Sequence, residues 1–87
     1  MPERMNYTLT EHAKRVLAER EIPIEWLEHA LREPAFSEPD PEDASLERRY
    51  RPIPECKGRV LRVVINPSVE PVRVVSVFFD RSMKGKL

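Results

Sequence analysis

The hydrophobic residues near the start of the chain repeat with the period of an α-helix. Four of them fall on one face at about 100° per residue: Leu9, Ala13, Val16 and Leu17. Thr8 and Glu11 have the spacing of a capping box, and Thr10 can equally serve as the N-cap. This pattern predicts a helix that begins between residues 9 and 11 and ends near Arg20.

A second helix is predicted directly after the first. Pro23 is tolerated in a first helical turn, where its missing N–H has no partner in any case. Ile24, Leu27 and Leu31 share one face, and Pro34 ends the run. Because the connection is very short, we expect a helical hairpin over residues 7–32 that must cover another layer to bury its apolar faces.

The rest of the chain alternates between turn-rich and strand-like segments. Residues 33–45 hold three prolines and five acids and read as an exposed acidic loop. Strand patterns follow over three stretches joined by short turns: 46–53, 58–66 and 71–80. They predict an antiparallel meander over 46–80, with the arginine-rich first stretch at an edge and 81–87 as a basic tail.

The order of these elements predicts the fold class. Helices that precede a run of strands are typical of an α+β domain. We expect two N-terminal helices packed on a three- or four-stranded antiparallel sheet. A chain of 87 residues has room for one core only, so residues 1–87 are expected to form a single domain.

The charges are segregated along the chain, although the net charge is zero. Residues 1–47 carry 12 acidic and 5 basic side chains, and residues 48–87 carry 10 basic and 3 acidic ones, so a segment of charge −7 precedes one of +7. Either the two halves neutralise each other within the fold, or the basic half presents a patch to a polyanion such as nucleic acid.

Composition argues against several other classes of protein. No apolar run approaches the roughly 20 residues that cross a bilayer, and the N-terminus lacks a signal-peptide pattern, so we expect a cytoplasmic protein without a membrane partner. Cys56 is the only cysteine, which excludes a disulfide framework within one chain. Two glycines make no phosphate-binding loop, and no metal or cofactor site is expected.

The first helix carries the candidate chemistry. With Leu9 as the origin, Arg20 projects at about 20°, near the centre of the apolar face, and His12 lies on its flank. Spacing alone leaves open whether His12 is a packing residue or a catalyst, and whether Arg20 simply extends past the apolar layer.

A histidine beside a basic sheet is what metal-free RNA cleavage requires. Histidine can act as base or acid, while arginines hold the charge of the phosphorane. The cationic candidates are Arg15, Arg49, Arg51, Arg62 and Arg81, with Lys84 and Lys86 as weaker phosphate contacts. Tyr50 can stack on a base or pack across strands. No acid/base partner for His12 is evident in the sequence.

Several short motifs resemble a family of small bacterial and phage proteins of unknown function. They are His12 at the start of the first helix, Arg20 with Ile22, and Phe79-Asp80-Arg81 at the end of the last strand. That family is similar in element order to RelE-like toxins and to small ribonucleases such as barnase and the colicin nucleases. The acidic, proline-rich segment before the first strand departs from the toxin pattern.

The resemblance implies an RNA-binding protein and a RelE-like toxin with metal-independent endoribonuclease activity. His12, Arg20, Arg62 and Arg81 are then the catalytic residues, and the expected RNA contacts are Arg15, Arg49, Tyr50, Arg51 and Lys84. The implied partners are RNA, free or on the ribosome, and an antitoxin protein. The alternative is a non-enzymatic interaction module that self-associates as a homo-oligomer or binds an acidic partner.

Overall fold

The computed structural model describes residues 6–87 and contains two helices and five strands. The helices are α1 (Glu11–Glu19) and α2 (Ile24–Arg32). The strands are β1 (Tyr7–Leu9), β2 (Phe36–Pro39), β3 (Glu47–Ile53), β4 (Arg59–Asn66) and β5 (Val72–Phe79). Short 3-10 turns follow β3, at Pro54–Cys56, and β5, at Arg81–Met83. Residues 1–5 of the predicted domain lie outside the described range.

The fold is α+β, as predicted, but the sheet has five strands in the order β1-β5-β4-β3-β2. The meander of β3, β4 and β5 is antiparallel, whereas β1 runs parallel to β5. The prediction of three or four antiparallel strands was therefore wrong in detail, because two short strands extend the meander at its two sides.

The first of these short strands is β1, whose residues were predicted to belong to the helical hairpin over 7–32. Tyr7 pairs with Val72 and Leu9 with Val74, so these residues lie in the sheet rather than on α1. Thr10, not Thr8, is the N-cap, and its Oγ1 accepts the N–H of Ala13 at 3.1 Å. The same hydroxyl donates to the carbonyl of Val75 at 3.0 Å, which fixes the start of α1 to β5.

The second added strand is β2, inside the segment 33–45 that was predicted to be a loop. It pairs antiparallel with β3, and Glu38 stands opposite Arg48. Opposite charges across a strand pair stabilise the pairing, which explains how an acidic, proline-bearing segment forms a strand. As a result β3 is an internal strand and β2 is the edge, contrary to the prediction for the first stretch of the meander.

The hydrophobic core lies between the helices and one face of the sheet. α1 packs on β5, and α2 packs on β3 and β4. The buried core includes Leu27 and Leu31 of α2 with Leu61, Val63, Ile65, Val74 and Val77 of the sheet. No helix among residues 6–87 covers the opposite face. Arg20 was predicted near the centre of the apolar face, but it is the C-cap that follows the last residue of α1, and its side chain is exposed.

Candidate nucleic-acid interface

Arg48 and Tyr50 lie on the face of the sheet that carries no helix, and both are paired with carboxylates there. Arg48 pairs with the carboxylate of Asp40 at 3.1 Å and with that of Glu38 at 3.9 Å. The Tyr50 hydroxyl donates to Glu38 at 2.7 Å, and the ring packs on Phe36 with centroids 5.6 Å apart. Tyr50 is only 1 % exposed, so its ring cannot stack on a nucleotide in this conformation.

Two further arginines of β3, both predicted as RNA contacts, join the sheet to α2. Arg49 donates to the carbonyl of Leu31 at 2.8 Å and pairs with Glu47 at 2.6 Å. Arg51 donates through Nη1 to the carbonyl of Glu33. Carbonyls at the end of a helix lack partners within it, so these guanidinium groups satisfy acceptors that would otherwise depend on water. The structure thus gives both residues a structural role.

Arg62 is held by an aromatic ring and a carboxylate. Its Cζ lies 4.0 Å from the centroid of Phe78, Nη1 lies 3.4 Å from Asp80, and Nε is buried without a partner among the described residues. Hydrogen bonds from the Ser82 hydroxyl and N–H hold the pKa of Asp80 below its ordinary value, and the charge of Arg62 acts in the same direction. Asp80 therefore stays ionised and neutralises Arg62.

A second group of cations lies together at the end of the sheet where β5 finishes. Two cavities of about 240 and 400 Å³ share Arg59, Phe79 and Arg81. The first is also lined by Lys84 and by Asp80, whose carboxylate pairs with Arg62, and the second by Arg20 and Phe78. Within residues 6–87, no carboxylate lies within 4.0 Å of the charged atoms of these four cations. We call Arg20, Arg59, Arg81 and Lys84 the cation cluster.

The fold explains why these four side chains meet. Arg20 ends α1, which packs on β5, and Arg81 and Lys84 belong to the turn that follows β5. Arg59 opens β4 after Gly58, whose φ of 75° reverses the chain, and its Cζ lies 4.2 Å above the centroid of Phe79. Phe79 thus holds one guanidinium by a cation–π contact at the centre of the cluster.

His12 is not part of the cation cluster. It is exposed in the first turn of α1, eight residues before Arg20, which is about 12 Å along the helix axis. Arg15, on the same helix, is exposed and contributes to neither cavity. Of the predicted catalytic residues, the structure therefore brings Arg20 and Arg81 together. Arg62 lies outside the cluster and pairs with Asp80, and His12 lies at the other end of α1.

Sequence reasoning missed Arg59, although a signal was present. Leu61, Val63 and Ile65 were predicted to share one face of a strand, and the same alternation places Arg59 at the end of that row. A charged residue that ends an apolar row extends its head group past the core into solvent. In that position beside Phe79, Arg59 lines both cavities, as Arg81 does.

Other classes of site find no support in the described part of the chain. Residues 6–87 contain no group of three or more His, Cys, Asp or Glu side chains that could hold a metal ion. No helix in the same range is long and apolar enough to span a membrane. The arrangement at the end of β5 is suited to binding an anion, because exposed cations lie around an aromatic ring that holds one of them, Arg59.

Comparison with known proteins yields one match. Residues 9–79 match the profile of a family described as "Domain of unknown function (DUF4258)". No curated protein and no solved structure matches the chain significantly. The match agrees with the predicted resemblance to a small domain of unknown function, whereas kinship with RelE-like toxins and barnase stays a prediction.

Proposed function

The chain belongs to the DUF4258 family of unknown function, and from this premise we propose that it is an RNA-binding protein whose cation cluster holds the phosphates of the strand. One observation carries the proposal. The arginines of the helix-free face, Arg48 and Arg62, are neutralised by acids, whereas the four cations around Phe79 have no carboxylate within 4.0 Å among residues 6–87.

Charge and chemistry favour a polyanion over a single small anion. Four cations spread over two adjoining cavities match a ligand that carries several phosphates in a row. Arginine presents a planar fork of donors to phosphate oxygens. The rings of Phe78 and Phe79 are partly exposed and each carries a guanidinium on one face, and aromatic rings and arginine planes are the surfaces on which unpaired bases stack, so single-stranded RNA is the favoured form.

The proposal extends to catalysis through the resemblance to RelE-like toxins. In this extension the protein is a cytoplasmic, metal-independent endoribonuclease, the cation cluster stabilises the phosphorane, and His12 transfers a proton. An antitoxin protein then covers the cluster and blocks RNA. Both roles act on a single phosphodiester, so this extension requires the side chains of His12 and Arg20 to converge on it across the roughly 12 Å that separates their positions along α1.

Binding is tested with a fluorescently labelled single-stranded RNA followed by anisotropy. The Arg59→Ala/Arg81→Ala double variant removes two members of the cluster, and we expect its affinity to fall at least tenfold. Arg73→Ala is the matched control, because Arg73 is an exposed arginine near the start of β5, about 20 Å from Phe79 at the end of that strand. Equal loss in the control and the double variant would contradict the proposed site.

Cleavage is tested in the same mixtures without added metal. The products are analysed for 2′,3′-cyclic phosphate ends, which attack by the ribose 2′-hydroxyl leaves behind. Activity that disappears in a folded His12→Ala variant would support the proton-transfer role. Cleavage that survives this substitution would exclude His12, and RNA binding without cleavage would restrict the function to binding.

One observation favours the alternative of a protein-interaction module. Phe36 is 41 % exposed on β2, the edge strand, where unpaired backbone groups can accept another chain. Sedimentation velocity over a range of protein concentrations tests self-association through this edge. A dimer that dissociates in Phe36→Ser, together with no RNA binding by either protein, would make the alternative the better description.

A further inference from the structure

A cleft lies between α2 and the end of β3, beside the cation cluster. Its volume is about 470 Å³, within the range of small-molecule sites. The walls are largely apolar and come from three segments of the chain: Trp26 of α2, Ala35, and the run Pro52, Ile53 and Pro54. Trp26 is partly exposed, so a flat ring entering the cleft can contact its indole.

The lining of the cleft also includes hydrogen-bonding groups, which belong to His29, Arg51 and Glu55. Arg51 uses Nη1 to hold the carbonyl of Glu33, which fixes its side chain while other guanidinium donors remain. The Nε2 of His29 lies 4.0 Å from the carboxylate of Glu33. The cleft therefore combines hydrogen-bond donors and acceptors with an indole ring. A nucleobase requires the former along its edge and the latter against its face.

Two aromatic rings in contact join the lining of the cleft to that of the cation cluster. Trp26 meets Phe79 edge to face, with centroids 6.3 Å apart and planes at 72°. Phe79 in turn carries Arg59 at 4.2 Å. A ligand with alternating phosphates and bases can therefore place phosphates on Arg59 and Arg81 while an adjacent base enters beside Trp26.

We propose that this cleft is a nucleobase site for the same single strand of RNA whose phosphates occupy the cation cluster. The inference rests on the proposed RNA-binding function and adds a second subsite to it. Trp26 stacks on the base, the two prolines bound the opposite wall, and Arg51 with His29 contacts the edge of the base. None of these residues except Arg51 stood out in the sequence as a contact for RNA.

Trp26 itself is the probe, because it is the only tryptophan in the chain. Wild-type protein is titrated with a short single-stranded RNA, and intrinsic fluorescence and anisotropy of labelled RNA are recorded in parallel. Stacking on a base quenches an indole, so we expect both signals to saturate at the same RNA concentration. Inorganic polyphosphate of matched charge provides the comparison, since it can occupy the cation cluster without supplying a base.

A variant measures the contribution of the stack. Trp26→Leu is expected to weaken RNA binding about 5- to 150-fold, the range found for removal of one base-stacking aromatic, while Trp26→Phe keeps most of the affinity. Polyphosphate binding should be the same in wild type and Trp26→Leu, which also shows that the variant is folded around the cluster.

Each outcome decides the proposal. RNA binding seen by anisotropy without any change in Trp26 fluorescence would refute the nucleobase site and leave the proposed function standing. Quenching by polyphosphate as strong as by RNA would also refute it, because the signal would then arise from the cluster through Phe79. Absence of RNA binding altogether would remove the proposed function and this inference with it.

Discussion

Removal of cations from the cluster should change how RNA binding responds to salt. Binding of a single strand releases about 0.7 counterion for each phosphate that a protein cation neutralises. Four contacts, from Arg20, Arg59, Arg81 and Lys84, therefore predict a slope of about −2.8 in a plot of log affinity against log salt concentration. The Arg59→Ala/Arg81→Ala variant keeps two of these contacts and should give a slope of about −1.4.

The difference is large enough to measure. Between about 50 and 200 mM salt, the wild-type affinity should fall about 50-fold and that of the double variant about 7-fold. Anisotropy titrations at four or five salt concentrations give both slopes, with Arg73→Ala as the control that keeps the wild-type slope. A double variant that binds more weakly but retains a slope near −2.8 would refute the reasoning, because its arginines would then not be neutralising phosphates.

Two further predictions concern the framework that holds the site. Thr10→Ala removes the cap on Ala13 and the bond to Val75, so the free energy of unfolding in urea should fall by about 2 kcal/mol, whereas Thr10→Ser, which keeps both bonds, should change it by less than about 0.5 kcal/mol. The pKa of Asp80 is depressed below 3.8 in the folded state. The ionised carboxylate therefore makes its full contribution to the free energy of unfolding above that pH, and this contribution is lost as the pH falls through the lower folded value. Asp80→Asn should therefore flatten the decline of unfolding free energy on acidification below about pH 4, and a decline as steep as that of the wild type would contradict this account.

The elements that the sequence predicted well are those specified by their own periodicity. Both helices and β4 have regular apolar patterns, β5 is apolar at nearly every residue, and β3 was predicted from strand-forming residues between turn signals; the positions of all five agree with the structure within a few residues. β1 and β2 are three and four residues long, and they form because a partner strand lies beside them. No local sequence pattern predicts such pairing. Tyr7–Leu9 was therefore assigned to the helical hairpin and Phe36–Pro39 to a loop.

The candidate site shows the same division between local and long-range information. Residue type identified Arg62 and Arg81 as candidates and the family resemblance added Arg20, but which of them is neutralised depends on the acid that the fold places alongside. Arg62 meets Asp80, 18 residues later in the chain, whereas no described carboxylate pairs with Arg20 or Arg81. The tertiary structure was therefore needed to tell the arginines that pair with acids inside the fold from those that are free to bind an anion.

The pairing of β1 with β5 constrains the order in which this protein can fold. Tyr7 pairs with Val72, and Thr10 bonds to a carbonyl 65 residues away, so the first strand depends on the last one. During synthesis the two helices emerge before the strands on which they pack, and α1 has no sheet to cover until β5 is complete. Contacts of such long sequence separation slow folding. Until then the apolar faces of the helices stay accessible to chaperones and proteases, and the cation cluster does not exist, because Arg20 and Arg81 meet only across this final strand.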